Sequence, residues 1–256
     1  MTAQDYLTVT AVDKSFGGLK ALRDCSFSIS KGAITCLVGP NGAGKTSIFN
    51  VITGFIKPDQ GAIEFEGRSL VGSSPQHIVS LGIARTFQHL RLFNDMSVLD
   101  NVLISMRGQF GEMLLTGLFR PFRTQRGLSE KTAAARAILQ DVGLGPKSAE
   151  IVRNLSYGEQ KLLCIARVLA SGADLILLDE PASGLSAAEL QATINLLHRL
   201  RDSGKTLLIV EHNTRVVKQI ASDVLFLHQG HLMARGTPDE ITRDPALAEI
   251  YFGNMK

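Results

Sequence analysis

Residues 39–46 read GPNGAGKT, that is Gly39, Pro40, Asn41, Gly42, Ala43, Gly44, Lys45 and Thr46, and Ser47 follows. The spacing G-x-x-x-x-G-K-[ST] is that of a Walker A loop. Ala33 to Val38 (AITCLV), just before it, is short, apolar and β-branched, as a buried strand should be. Ser47 to Phe55, just after it, is apolar at helical spacing. Strand, glycine-rich loop and helix together make a phosphate site: the glycines let backbone N–H groups turn inward, and the helix N-terminus adds positive potential. Lys45 then reaches the β- and γ-phosphates of a nucleotide, and the Thr46 hydroxyl helps to hold Mg²⁺.

Working outward, Leu7 to Asp13 and Cys25 to Ser30 alternate like half-buried strands, with SFGG as a turn that carries Phe16. A loop phenylalanine is a small satellite-core residue or an aromatic face for an adenine ring. Ala62 to Glu66 adds another short strand, so the first third of the chain reads as an antiparallel β layer beside the loop. Past Gly82 the pattern becomes helical until about Ser171, with Ser97 and Ser129 as N-caps. Between those serines lies FRPFRTQRG, a basic loop with Arg120, Arg123 and Arg126, either solvated or in contact with a partner protein or lipid head groups. Strand–helix alternation then returns. Ser186 and Glu189 form a capping box ahead of a long helix, Gln229-Gly230 turns a hairpin, and Thr237 to Glu240 opens a final helix running towards Tyr251.

Two strand ends carry candidate chemistry. Leu175 to Leu178 ends in Asp179-Glu180, and the carboxyl ends of strands in open α/β sheets are where ligands sit. Asp179 suits a Walker B acid that holds Mg²⁺ through water, and Glu180 suits a base that polarises water for attack on the γ-phosphate. Thr206 to Glu211 ends next to His212, which at the same edge would hold the γ-phosphate and the water together. His77, His89, His198, His228 and His231 have no such placement. Ser156-Tyr157-Gly158-Glu159, before the helix KLLCIARVLA, has capping-box spacing and also reads as a second anion site at a helix N-terminus. One phosphate tail does not need two such sites in one chain; two chains facing head to tail do.

Bulk properties set bounds. The 256 residues suffice for one large domain, 45% are hydrophobic, and a net charge of +3 is too mild to argue for nucleic acid. Three cysteines, Cys25, Cys36 and Cys164, lack metal-ligand spacing and suit reduced core thiols in a cytoplasmic protein. No secretory leader is visible in MTAQDYLTVT, and no apolar run approaches the roughly 20 residues that span a bilayer. A membrane role must come through a partner.

These residues resemble the ATP-binding cassette (ABC) ATPases. LSYGEQ (Leu155 to Gln160) resembles the LSGGQ signature, and GPNGAGKT, Gln88 in ARTFQ, LILLDEP, SGLS and EH follow in the family's order over nearly the whole chain. The resemblance implies an α/β P-loop fold: a mixed-sheet core, an antiparallel β subdomain and an inserted α-helical subdomain at about residues 89–171, all within one domain of residues 1–256. It implies ATP and Mg²⁺ as ligands and a dimer, of like or unlike chains, that sandwiches two ATP molecules. Phe16 then stacks on adenine; residues 39–47 cradle the phosphates; Thr46, Gln88 and, through water, Asp179 serve the metal; Ser156 and Gly158 touch the γ-phosphate on the opposite chain. Gln88 also links to transmembrane permease subunits, which receive solute from a binding protein, and the chain sits on the cytoplasmic face of the membrane. GIARTFQHLRLFNDMSVLDNV, the basic insertion and the ending YFGNMK look like the ATP-binding proteins of branched-chain amino-acid importers, with urea importers and lipopolysaccharide-export ATPases as neighbours. Non-transport ABC ATPases usually add coiled-coil arms or a second cassette, and a GTPase would carry N-K-x-D. One departure is Ser186, where the family commonly has Asp or Asn: it still caps the helix, but a charge across the dimer interface is lost.

Overall fold

Period-two alternation opens the chain as a hairpin, β1 (Leu7–Phe16) with β2 (Leu19–Ile29), Leu7 opposite Ile29 and Phe16 opposite Leu19. The pairing runs further than the sequence suggests because Gly17 takes a φ of 57° and closes a turn at Gly17-Gly18, so Phe16 ends a strand instead of riding a loop. β3 (Ile34–Val38), buried throughout, feeds α1 (Lys45–Ile52). β4 (Gln60–Phe65) pairs antiparallel with β1, and β5 (Arg68–Ser69) completes a four-stranded antiparallel sheet in the order β2-β1-β4-β5. α2 (Pro75–Leu81), capped by Ser74, precedes β6 (Ile83–Arg85). These elements come from a computed structural model that describes residues 5–87, 90–106 and 121–252, with the backbone alone for 121–126, 248 and 251–252.

A helical stretch comes next, with α3 (Val98–Leu103), α4 (Pro121–Asp141) and α5 (Tyr157–Ala170), and two 3-10 turns at Gly145–Lys147 and Val152–Asn154. Ser97 caps α3 as expected, its side chain accepting from the Asp100 N–H at 3.0 Å. Ser129 caps nothing; it lies inside α4. The helix is already formed at Pro121, and it tolerates Gly127 at a cost of about 1 kcal/mol. The backbone of 121–127 is therefore helix where a loop was expected, while Arg120 lies outside the described residues, as do the side chains of Arg123 and Arg126.

After α5 come β7 (Leu175–Asp179), α6 (Ala187–Asp202), β8 (Thr206–Val210), α7 (Thr214–Ile220) and the hairpin β9 (Asp223–His228) with β10 (His231–Gly236). The expected single C-terminal helix is two, α8 (Pro238–Arg243) and α9 (Pro245–Phe252). Pro245 has no N–H to continue α8, and the Asp244 carboxylate instead accepts from the Ala246 N–H at 2.9 Å to start a new helix. The last four residues of the YFGNMK tail lie outside the described residues.

The chain forms two compact units: Met1–Arg85, Asp174–Ser183 and Leu197–Lys256 in the first, Thr86–Ala173 and Gly184–Leu196 in the second. The first holds both sheets. Its larger sheet runs β10-β9-β3-β8-β7-β6, parallel except for the β9–β10 hairpin. β3 and β8 are buried at every position, the mark of parallel strands covered on both faces. Ile48, Phe49 and Ile52 of α1 lie in a core cluster with residues of both sheets, fully buried and worth roughly 1.5–3 kcal/mol apiece. Register fixes where the strands stop. Leu37 of β3 and Asp179 of β7 both stand opposite Val210 of β8, so the carboxyl ends of three strands finish level. The second unit is built from helices among its described residues.

Two loop glycines are set by packing. Gly39 has a φ of 147°, and a Cβ there would collide with the Leu227 carbonyl of β9; Gly44 has a φ of 107°, with the Ala21 carbonyl of β2 only 2.6 Å from where its Cβ would be. Gly39→Ala is therefore expected to lower the unfolding free energy by at least about 1–3 kcal/mol through backbone strain alone, even without nucleotide. A lower urea midpoint at unchanged slope checks it.

Candidate active site

The loop from Gly39 to Thr46 rests on backbone it does not own. The Gly230 N–H, in the β9–β10 turn, donates to the Ala43 carbonyl at 2.9 Å, and the Arg23 N–H of β2 donates to the Gly230 carbonyl at 3.0 Å. Ala43 is buried beneath the loop, while Asn41, Gly42 and Thr46 are exposed on it, with Pro40 and Ser47 between these extremes. Gly44 N-caps α1 with no side-chain capping bond, and no acid stands in the helix's first turn. The positive end of the helix is thereby left to an anion. Lys45 folds back over the loop, its Nζ donating to the carbonyls of Gly39 at 2.7 Å and Pro40 at 2.9 Å. Burial pulls its ammonium below the ordinary value, and the charges of Glu180 and Asp179 oppose that shift, which places both acids within electrostatic reach of Lys45.

Asp179, at the end of β7, is nearly buried and faces Arg85 of β6, Nη2 to Oδ2 at 3.8 Å. Arg85 also donates from Nη1 to Asn50 Oδ1 of α1 at 2.6 Å and lies 5.6 Å from the Phe49 ring centroid. One guanidinium therefore ties the acid-bearing strand to the helix behind the phosphate loop. Glu180 comes next with a φ of 49°, a conformation that a non-glycine residue adopts only under constraint. Its N–H donates to the Val210 carbonyl at 2.9 Å, extending the β7–β8 ladder past the strand. The carboxylate meets His212 at 3.6 Å, Oε1 to Nδ1, too long for a hydrogen bond. Phe16 is 45% exposed at the hairpin tip opposite Leu19, on the same hairpin as the β2 carbonyl of Ala21 that underlies Gly44.

The first unit thus brings together the loop, Lys45, Asp179, Glu180 and His212, with Phe16 on the adjoining hairpin. Gln88 lies outside the described residues. Ser156 and Gly158 belong to the second unit, where Ser156 caps α5 in a complete capping box with Glu159. A second carboxylate is already there: Ser156 Oγ donates to Glu189 Oε1 at 3.0 Å, and a Cβ on Gly158 would strike the same Glu189 carboxylate. Glu189 is held from its other oxygen by Ser186, at 2.9 Å from the N–H and 2.8 Å from Oγ, and these serine bonds keep its carboxyl below the usual range. Ser186 therefore caps α6 as expected.

Arg85 and Glu211 belong to this region without a distinctive sequence signal. Arg85 sits at the end of a three-residue strand, too short to register. Glu211 is a lone acid closing the apolar run TLLIV, next to the histidine. It is 1% exposed, and burial pushes its carboxyl up against backbone N–H groups that pull it down.

The sequence pattern of the ABC transporter family matches residues 22–183. The chain belongs to the ABC transporter family. It is 37% identical over 252 residues to the high-affinity branched-chain amino acid transport ATP-binding protein LivG of Salmonella typhimurium, covering 98% of this chain and 99% of LivG. BraF of Pseudomonas aeruginosa, described in the same words, is 33% identical with the same coverage. A crystal structure of the ADP conformation of an ATP-binding cassette from an ABC transporter superposes with a TM-score of 0.85 at 31% identity, covering 98% of this chain and all of that one. As an ABC ATPase the chain hydrolyses ATP, on the P-loop α/β fold expected from its sequence. Thr46 and Asp179 offer hard oxygen donors, the set Mg²⁺ prefers. Among the described residues no group of three or more His, Cys, Asp or Glu could hold a metal.

Arg85→Ala breaks a nearly buried ion pair and is expected to cost about 3 kcal/mol of unfolding free energy. Urea denaturation monitored by far-ultraviolet circular dichroism measures it, and a loss under about 0.5 kcal/mol, the range of ordinary surface changes, would show that the pair holds nothing.

Proposed function

We propose that this chain is the ATP-hydrolysing, energy-coupling subunit of an importer for branched-chain amino acids. The observation that carries the reading is the level ending of three strands, which presents the Walker A loop, Asp179, Glu180 and His212 at one sheet edge. Near-full-length likeness to LivG and BraF supports the solute class. Two cassette chains, identical or not, close on two ATP molecules, with residues 39–47 of one copy and Ser156 and Gly158 of the other on the same phosphate tail. Phe16 supplies a face for adenine. Thr46, Asp179 and Gln88 would hold Mg²⁺, which neutralises phosphate charge when bound. Glu180 takes a proton from the attacking water, while His212 steadies the γ-phosphate beside it. The segment around Gln88 and the helical residues at about 89–171 pass the cycle to transmembrane permease subunits, themselves fed by a binding protein, at the cytoplasmic face. Among the described residues no helix is long and apolar enough to cross a membrane.

Reconstitution with the permeases and binding protein in vesicles tests this reading. ATP-driven leucine uptake is expected, and in Glu180→Gln both uptake and hydrolysis fall by about 10²–10⁴ while ATP still binds. Normal turnover in that variant would remove Glu180 from its role, and uptake of urea but not leucine would overturn the solute class.

Glu189 gives a second outcome. In the single chain its carboxylate fills the seat that closure assigns to a γ-phosphate. Glu189→Gln keeps the capping-box geometry but removes the charge. The ATP concentration for half-maximal dimerisation should fall roughly tenfold, about 1.4 kcal/mol, a third of the repulsion between unit charges 4 Å apart at a surface-like dielectric. Light scattering during an ATP titration reads it; an unchanged midpoint would mean that the carboxylate does not compete.

A further inference from the structure

Glu211 takes no part in phosphate binding or proton transfer, yet it is the one acid among the fully described residues whose whole side chain lies inside the core while touching the ends of two catalytic strands. Oε1 accepts from the Ala182 N–H at 3.0 Å, and Oε2 accepts from the N–H of His212 at 3.2 Å. The Asn213 N–H also bonds to this carboxylate. Ala182 stands two residues beyond Glu180, so one side chain grips the loop that carries the acid and the segment that carries the histidine. The donor count explains the residue type. Three N–H groups converge on this side chain, and an ionised carboxylate has about four acceptor sites and no proton of its own. Serine or asparagine would leave donors unmet or bring a further donor among them.

The grip also bears on backbone strain. Glu180 keeps a φ of 49° although it carries a Cβ. Its own N–H is fixed to Val210, and the chain two residues on is fixed to Glu211, so the strained residue is tethered on both sides. A helix cap does not account for the arrangement, because the Asn213 side chain already caps α7 by accepting from the Arg215 N–H at 3.0 Å.

We infer that Glu211 is a positioning residue for ATP hydrolysis: its buried carboxylate sets the spacing between Glu180 and His212 by holding the backbone of both segments. The inference rests on the catalytic roles proposed above for those two side chains. The bonds that Glu211 makes run to the loops after β7 and β8 and not to Lys45 or the phosphate loop, so nucleotide binding is independent of it.

The test is a double-mutant cycle in the full-length protein, using Glu211→Gln, Glu211→Ala and His212→Ala, with hydrolysis at saturating ATP and binding of a fluorescent ATP analogue as readouts. Glu211→Gln is nearly isosteric and keeps one acceptor, so it decides the matter should the alanine variant not be recovered folded. The positioning role predicts analogue affinity within about twofold of the unaltered protein and a fall in kcat of about 10- to 100-fold, the scale of a reacting group displaced by a fraction of an ångström. It also predicts that His212→Ala costs little more once Glu211 is changed. Unchanged kcat in Glu211→Gln, or full multiplication of the two losses, overturns the positioning role and leaves the catalytic assignments standing. Unchanged kcat in His212→Ala alone overturns the assignment of His212, and this inference falls with it.

Discussion

Val210 is the registration point of the molecule. Leu37 lies across from it on one side and Asp179 on the other, and the backbone ladder continues one step further to Glu180. Side chains alternate with a period of two along a strand, so a slip of one residue in either pairing would turn Asp179 or the loop's first glycine away from the edge. β3 and β8 are buried on both faces, so such a slip would also require close-packed side chains on both faces to repack. The geometry of the site is therefore inherited from the core.

Around this frame the polar groups each perform a fixing task. Arg85 joins the end of β7 to α1, Glu211 joins the loops after β7 and β8, and Gly230 joins the phosphate loop to the neighbouring hairpin. Buried charge is costly unless it is paired or heavily hydrogen-bonded, and both Arg85 and Glu211 meet several partners. The left-handed Glu180 fits the same pattern: strain is kept where surrounding bonds over-determine the backbone. At the signature helix the arrangement is different, because Ser156, Ser186 and Glu189 satisfy one another within one chain. The same oxygen and glycine that suit a phosphate suit a carboxylate.

Much of this was legible from residues alone. Glycine spacing, a lysine and a hydroxyl define a phosphate loop wherever a buried strand precedes them, and acids or a histidine after apolar runs fall at a sheet's carboxyl edge. What escaped were features whose signal is tertiary. β6 has three residues and declares itself only by pairing with β7. The first described turn of α4 hid behind a proline and basic residues that read as loop, and the break between α8 and α9 turns on one missing N–H at Pro245. Glu211 looked like the polar end of a strand because burial cannot be counted until neighbouring loops fold over it. Glu189 read correctly as a cap, but its second bond depends on where α5 begins.

The proposed function depends on one sheet edge handling one phosphate tail. The most direct measurement is a crystal structure of the Glu180→Gln variant with Mg–ATP, in which hydrolysis does not blur the ligand. The β- and γ-phosphates should lie on the N–H groups of residues 42–46 with Lys45 Nζ turned from the Gly39 carbonyl onto them, and the γ-phosphate should face residues 180 and 212. Phosphates bound elsewhere, or a Lys45 still closed on its own loop with ATP present, would contradict it.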